Sequence, residues 1–581
     1  MAAASVIEAV PPRSRVHYDV GSGVMLGMAL PPVILIVVLL VVVLWLSFLN
    51  GQPGTGNNTY TVAHYIAIFG DSFTYQVLAN TLAFSGIATI IALTVAAPIA
   101  WFVERTDLPG KSVVMTVMTI SLVVPAFAVA MGWLFLLHPR IGMINQFLIT
   151  HLSLSEAPFN IETIIGMGTV EGLVLVPVPF IMLAAALHSM DPAVEEAAAM
   201  TGATTYRTLL RITFPLLWPA VLASGLYVFT IGFAAFEIPA IIGLPRRIFT
   251  FSTYVYYQLS PWTGAPAYAN VAVLGVFMVA LGLAISWWYS SLQSNTSRFA
   301  VLTGKSFRPR LTKLGRARYG AIAFVVAYLL VGQALPILML VWASGLPFLK
   351  IPSAQALSEY SLNNYVTVLP LFLRAIGPTA ILMLAVPTAT VFFSVVISWV
   401  AFRSKLRWRN IFDVLAFLPH CIPSIVFSVA ALLTVLFLVK DAVPLYGSVW
   451  LLVIVYVVAR ISYGTRLTNA AIIQVHKDLE QSAAVCGAST LGTVRFVLLP
   501  LIAPTMLYSW IWTALLAYRE LTLPVLLAST KNQPLSVVVW GLIETSAHGQ
   551  ASAITVLMLF LMLPLLLVYW HATRRIGVPV S

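Results

Sequence analysis

Residues able to do chemistry are scarce in this 581-residue sequence. Its nine histidines are scattered, with no paired spacing of the kind a metal site needs, and no Ser/His/Asp grouping or Gly-rich catalytic turn occurs. The two cysteines, Cys421 and Cys486, fall in or beside apolar runs and read as small hydrophobes, leaving no disulfide framework or thiolate site. A phosphate-cradling loop needs G-x-x-x-x-G-K-[ST]. "LTGKSF" supplies Gly304, Lys305 and Ser306 but has Phe299 where the earlier glycine belongs, and "LPGKSV" has Arg105 there. Both read as basic turns, so any ATP hydrolysis belongs to a separate chain.

What remains are charges inside apolar runs: Glu237, Arg460, Arg519 and Glu520. Charge in lipid is expensive, so such residues default to functional roles. Glu237 lies 22 residues past Pro215, roughly 33 Å of helix at about 1.5 Å per residue, and Glu520 lies at a similar height past Pro500. That places both near the outer end of a path, where a hard cation or hydroxylated solute would meet carboxylate; an inter-helix salt bridge is the competing role. Sequence neighbours do not face each other on a helix, so Arg519 and Glu520 take different partners. Arg460 suits a path or packing equally. The segment 243–266 mixes Arg246 and Arg247 with aromatics. It suits contact with a solute-binding protein or an anionic solute, although an interfacial aromatic belt explains its Tyr and Trp equally well.

The elements holding these residues must be membrane helices. The chain is 60% hydrophobic and 9% charged, with a mean hydropathy of +0.96, whereas soluble chains carry about 25% charge. Unbroken apolar runs such as Val33 to Leu49 exclude the alternating pattern of a barrel. Twelve helices are predicted, near 26–49, 79–104, 112–137, 165–189, 214–236, 266–290, 320–345, 375–402, 411–438, 447–468, 500–527 and 551–572, the first an uncleaved span. With both termini on one side, 22 Lys and Arg fall on that side and seven on the other. The positive-inside rule makes the termini cytoplasmic. The net charge of +12 therefore records topology, with lipid headgroups its partner and no nucleic acid.

A basic stretch over 298–319 divides the chain into a first half, 1–297, and a second, 320–581. Ten residues of Glu195–Pro219 recur 285 positions later: Glu195, Ala198, Ala199, Gly202, Ala203, Thr205, Thr208, Pro215, Leu216 and Pro219 match Glu480, Ala483, Ala484, Gly487, Ala488, Thr490, Thr493, Pro500, Leu501 and Pro504. Upstream, "AWFVERT" matches "SWVAFRS", and Pro125 matches Pro423, at an offset of 298; the 13 extra residues fall in an outer loop of the first half. Six helices per half return the chain to its starting side, so the halves are parallel repeats about a pseudo-twofold axis along the membrane normal, as in many transporters. Each duplicated paragraph, 191–215 and 476–500, lies between the fourth and fifth helices of its half. Asp191 caps a short Ala-rich helix, Gly202 turns the chain, and a second helical piece runs to Pro215. An ordinary interfacial loop explains one copy; two copies in equivalent places suit a pair of matched docking knobs.

The first paragraph reads E-A-A (Glu196, Ala197, Ala198), Gly202, Ile212, Phe214 in place of leucine, and Pro215. The second keeps Ala483, Gly487, Val497, Leu499 and Pro500, but has Gln481 and Ser482 after Glu480. The pattern resembles the signature loop of type I ABC importer permeases. With "FEIPAIIGLP" and "YRELTLPVLL" following the two loops, nearly the whole chain resembles the fused ferric-iron-type subgroup, which also includes importers of thiamine, phosphonates and phosphorylated sugars. The resemblance implies an all-α polytopic fold of two six-helix halves in a bacterial inner membrane. It implies docking of two copies of an ABC ATPase, which holds ATP and Mg, at Glu195, Glu196, Ala197, Ala198 and Gly202, and at Glu480, Ala483, Ala484 and Gly487. It also implies a periplasmic or lipid-anchored solute-binding protein outside. An ion-gradient-driven transporter of six-plus-six parallel repeats is the alternative; it would not need glycine-centred knobs and would show more buried acids. A channel ranks third.

Overall fold

The computed structural model describes residues 20–51, 59–191, 193–259, 267–296, 311–439 and 444–575. Arg13, Arg15, Pro192, the segment 260–266, the basic run Arg298–Arg310 and the half boundary at 297–298 lie outside the described residues, as does the Cys421 side chain.

The first half contains α1 (Val20–Ser47), α2 (Ser72–Arg105), α3 (Lys111–Ser121), α4 (Ala126–Leu137), α5 (Ile164–Leu175), α6 (Pro177–Ser189), the short α7 (Ala193–Met200), α8 (Thr205–Ala234) and α9 (Tyr268–Thr296). The second contains α10 (Ala317–Ser344), α11 (Asn363–Arg403), α12 (Asn410–His420), α13 (Ser424–Val439), α14 (Val449–Gln474), the short α15 (Lys477–Val485), α16 (Thr490–Arg519) and α17 (His548–Arg575). Eight helices are long and apolar enough to span, eleven if each of the three bent pairs is one span, and within α9 the stretch Tyr268–Ala284 is a shorter apolar helix.

The expected third span of each half is not one helix. The chain bends by 98° between α3 and α4 and by 104° between α12 and α13. Pro125 and Pro423, both extended (ψ 132° and 136°), start the second segment of each pair. Proline has no amide to continue the ladder and disfavours helix in the residue before it. The α5–α6 break is milder, at 45°. There Pro177 leaves the Leu173 carbonyl without its helical donor, and Tyr328 and Gln333 of α10 supply hydrogen bonds at 3.2 Å each. A backbone group orphaned in one half is thus satisfied by the other.

This exchange is general. The α1 helix packs on α11, α12 and α13 of the second half, while α10 packs on α4 of the first. Gly132 in α4 permits the latter approach, since a Cβ there would lie 2.2 Å from the Pro336 carbonyl oxygen. Local contacts repeat with the sequence. The Ser47 and Tyr65 hydroxyls pair at 2.6 Å, and those of Ser344 and Tyr365 at 2.7 Å. Thr81 and Thr379 accept the amides of Phe251 and Leu535 at 2.9 and 3.0 Å.

Candidate functional site

At one end of the bundle each half presents the same device. In the first half, Asp191 accepts the Ala193 amide at 2.9 Å and starts α7. Gly202, at φ +80°, ends it: its amide reaches the Ala199 carbonyl at 3.0 Å and Ala203 reaches Ala198 at 3.1 Å. Thr204 then caps the next turn. In the second half Gly487 has φ +83°, the matching bonds to Ala484 and Ala483 are both 3.0 Å, and Ser489 is the cap. The paired bonds and left-handed glycine form a Schellman stop, which side-chain-bearing residues resist. Neither α7 nor α15 buries a single residue, and nothing lies within 4 Å of a Cβ placed on either glycine. Gln481 and Ser482, where the second copy departs from the pattern, are both exposed.

A buried arginine fixes each short helix. Arg105, 3% exposed at the end of α2, donates to the Leu187 and Met190 carbonyls at 2.8 and 2.9 Å and pairs with Glu195 at 3.7 Å. Arg403 at the end of α11 donates to Ile472 and Val475 at 2.8 and 2.6 Å and pairs with Glu480 at 2.7 Å. Glu195 also accepts from Thr213 at 2.7 Å. Two docking candidates therefore turn inward: Glu195 and Glu480 hold the loops, while Glu196, Ala197 and Ala484 stay exposed and Ala198 and Ala483 are half-buried. Sequence reading missed the two arginines as positioning residues, although they occupy matching places in the "VERT" and "AFRS" repeats. Cys486 is exposed beside Gly487 rather than packed as a small hydrophobe. The linker returns to this end of the molecule, where the Leu314 amide donates to Asp107 at 2.9 Å.

Within the bundle, Glu237, Arg460, Arg519 and Glu520 come together at the seam of the halves. Arg460 pairs with Glu520, whose other oxygen accepts the Leu523 amide at 3.3 Å. Arg519 instead donates to the Leu122 carbonyl and, at 3.4 Å, to that of Val124, so adjacent Arg519 and Glu520 do take different partners. Glu237 accepts the Phe127 amide at 2.9 Å. The break in the first half is thus capped at both ends, by a cation on the carbonyls ending α3 and an anion on the first amides of α4, each complementing a helix dipole. The cation belongs to the second half, the anion to the first.

Arg519 ends α16 with Glu520 at its cap, Glu237 lies three residues past the end of α8, and Arg460 is the twelfth residue of the 26-residue α14. Two members escaped sequence reading. Glu171 of α5 is 4% exposed and within electrostatic reach of Glu237 and Arg519. Tyr456 of α14 is fully buried near Glu520, Arg460 and Glu237. An acid within the apolar run "TVEGLVLV" was the available signal for Glu171.

At the opposite end, Arg246 pairs with Glu162 at 2.8 Å, and His138 approaches the same carboxylate at 3.4 Å. Burial pushes the His138 imidazole below its usual range; Glu162 opposes this, while Arg246 and Arg140 reinforce it. Arg247 stands exposed with φ +57°. Of the two arginines, Arg246 is engaged within the chain and Arg247 faces outward.

Residues 96–298 and 393–578 each match the model of the family described as "Binding-protein-dependent transport system inner membrane component". The chain belongs to that family. Its two matches make it a fused, two-repeat ABC permease of the inner membrane. Over 541 residues it is 24% identical to the ferric transport system permease protein FbpB of Actinobacillus pleuropneumoniae, covering 90% of this chain and 75% of that one. Over 507 residues it is 23% identical to the Fe(3+)-transport system permease protein FbpB 2 of Haemophilus influenzae, covering 86% and 90%. The molybdenum permease ModB of Escherichia coli matches 38% of this chain at 25% identity over 94% of its own length. A crystal structure of a bacterial ABC importer of alginate matches 45% of this permease and 98% of that chain, with a TM-score of 0.37 and 18% identity.

Proposed function

We propose that this permease forms the whole membrane pathway of an ATP-driven importer, with both termini cytoplasmic and two copies of one ATPase subunit seated on α7 and α15. The observation that carries the reading is the matched pair of exposed, glycine-stopped helices, each tied by a buried arginine to the end of a spanning helix. A push on such a helix passes into α2 or α11 as rigid-body motion, which is what alternating access between two packings requires. A solute-binding protein delivers cargo at the opposite end, beside Arg247, and ATP with Mg resides on the ATPase. The ferric permeases among its relatives favour ferric iron as cargo over a phosphonate, sugar phosphate or thiamine.

The exposed thiol of Cys486 supplies the test. A photo-crosslinker attached there should capture the ATPase subunit in membranes, and reconstituted complex with loaded binding protein should take up ferric iron only with ATP. Uptake driven by an ion gradient without ATP, or no capture at Cys486, would overturn the proposal.

A further inference from the structure

Two short helices outside the spans, Phe251–Leu259 and Leu535–Glu544, occupy equivalent places in the two halves. The first amide of each is taken by an equivalent threonine hydroxyl, that of Thr81 or Thr379. The second residue of each is a serine that donates to a carbonyl at the end of the preceding span, Ser252 to Ala234 at 3.1 Å and Ser536 to Glu520 at 2.7 Å. The two helices are 284 positions apart, so Ser252 corresponds to Ser536, Val255 to Val539 and Tyr256 to Trp540.

Tyr256 and Trp540 touch. Their rings meet edge to face with centroids 5.9 Å apart, and the Trp540 indole N–H donates to the Tyr256 hydroxyl at 3.2 Å. Residues related by a twofold axis are separated by twice their distance from it, so a residue meets its own counterpart only beside the axis. The pair therefore marks where the pseudo-twofold axis passes, and a path shared by two repeats lies at their interface, along that axis. Buried Phe236 packs on both rings, with centroids at 5.4 and 6.0 Å.

This contact stands at the end of the molecule away from the docking helices. Tyr256 is nine residues past Arg247. Glu544 is four residues before His548, which starts α17 and whose ring meets Phe135 of α4, close to His138. The Tyr256 hydroxyl donates in turn to the exposed Glu544 carboxylate at 3.0 Å, a charge-assisted bond. One first-half side chain is thus held by an indole and a carboxylate of the second half. Further toward the docking end the seam is open. His420, at the end of α12, stacks across the seam on Tyr227 of α8 at 5.7 Å and is exposed although densely surrounded by protein.

We propose that the Tyr256–Trp540 contact, wedged by Phe236, is the seal that shuts the outer end of the solute path, and that Glu544 is its latch. The proposal rests on the import reading in one respect, that the seam of the halves is the path. Opening the outer end requires Tyr256 to leave both second-half partners, and water or solute arriving at exposed Glu544 eases this by taking over its hydrogen bond.

The test uses the full permease alone in proteoliposomes loaded with Rb⁺, with no ATPase subunit, ATP or binding protein. The wild type should hold the ion. Y256A/W540A should release it at least tenfold faster, because the inner part of the seam is already open. Tyr256→Phe, which keeps the ring, should stay within about twofold of the wild type, and Glu544→Ala, which frees the latch but keeps both rings, should leak between these limits. Tyr257→Ala removes a neighbouring ring turned toward Phe249 and should stay tight. If the double variant does not fold, Trp540→Leu is the milder cut and should leak several-fold. A double variant as tight as the wild type, a Tyr257→Ala protein that leaks as fast as the double variant, or a tight Trp540→Leu protein where only that one folds, overturns the seal. Tight variants of a permease that still imports with ATP would strike the seal alone, whereas leaking variants of a permease that never imports would strike the import reading alone.

Discussion

Arg105 and Arg403 are single residues on which the docking loops depend. Each brings a buried cation to carbonyls ending α6 or α14 and to a carboxylate of the short helix. Removing one member of a buried pair costs about 3–5 kcal/mol because the other charge is left uncompensated. Arg403→Ala should therefore loosen α15, lowering uptake at least tenfold while ATP hydrolysis by the complex persists; unchanged uptake would remove the positioning role. His138 makes a second residue-level case. Its folded-state pKa lies below the unfolded value of about 6.5, so the unfolded chain binds the proton more readily and stability falls as pH drops through that value. Glu162, Arg246 and Arg140 face it, and His548 of α17 lies within its field. The thermal midpoint should decline between pH 7.5 and 5.5, and His138→Gln should flatten that decline.

For the short helices, what counts is where they stop. Gly202 and Gly487 have open space around them, so a side chain there meets no clash, but their left-handed backbone costs a β-carbon-bearing residue about 1–2 kcal/mol. Gly487→Val should reshape the α15 stop and uncouple transport from ATP hydrolysis. Gly487→Asn, which tolerates this conformation better, should retain most uptake. An uptake rate unaffected by valine would remove α15 from the coupling path. The broken spans follow the same local logic: Pro125 and Pro423 end a helix inside the membrane, and the backbone groups they free need partners. The first half finds them in Arg519 and Glu237.

In the assembled molecule the two halves cannot stand apart. Each lends its first spanning helix to the other, and Gln333 satisfies a carbonyl that Pro177 orphans. Gln333→Leu should lower the thermal midpoint slightly, by the loss of a hydrogen bond of about 1 kcal/mol, because Tyr328 still donates to the Leu173 carbonyl. Gly132→Leu should be worse, because its Cβ would enter the Pro336 carbonyl and push α4 off α10. Expressed separately, the halves should be unstable in membranes and recover only on co-expression; two independently stable halves would contradict this interlocking.

Local patterns determined much of this protein. Apolar run length marked the spanning helices, because lipid admits little else than a satisfied helix. The spacing of Glu, Ala, Gly and Pro fixed two matched loops, because a left-handed glycine stop is written in a few adjacent residues. Adjacent Arg519 and Glu520 take different partners, Arg519 ending α16 and Glu520 extended beyond it. Only the tertiary structure decided that Glu195 and Glu480 turn inward, that the third spans break, and that Glu171 and Tyr456 join Glu237, Arg460, Arg519 and Glu520 at the seam of the halves. Those outcomes depend on which helices meet across the seam and at what tilt. The energy of a buried charge is set by neighbours hundreds of residues away, and no local pattern encodes it.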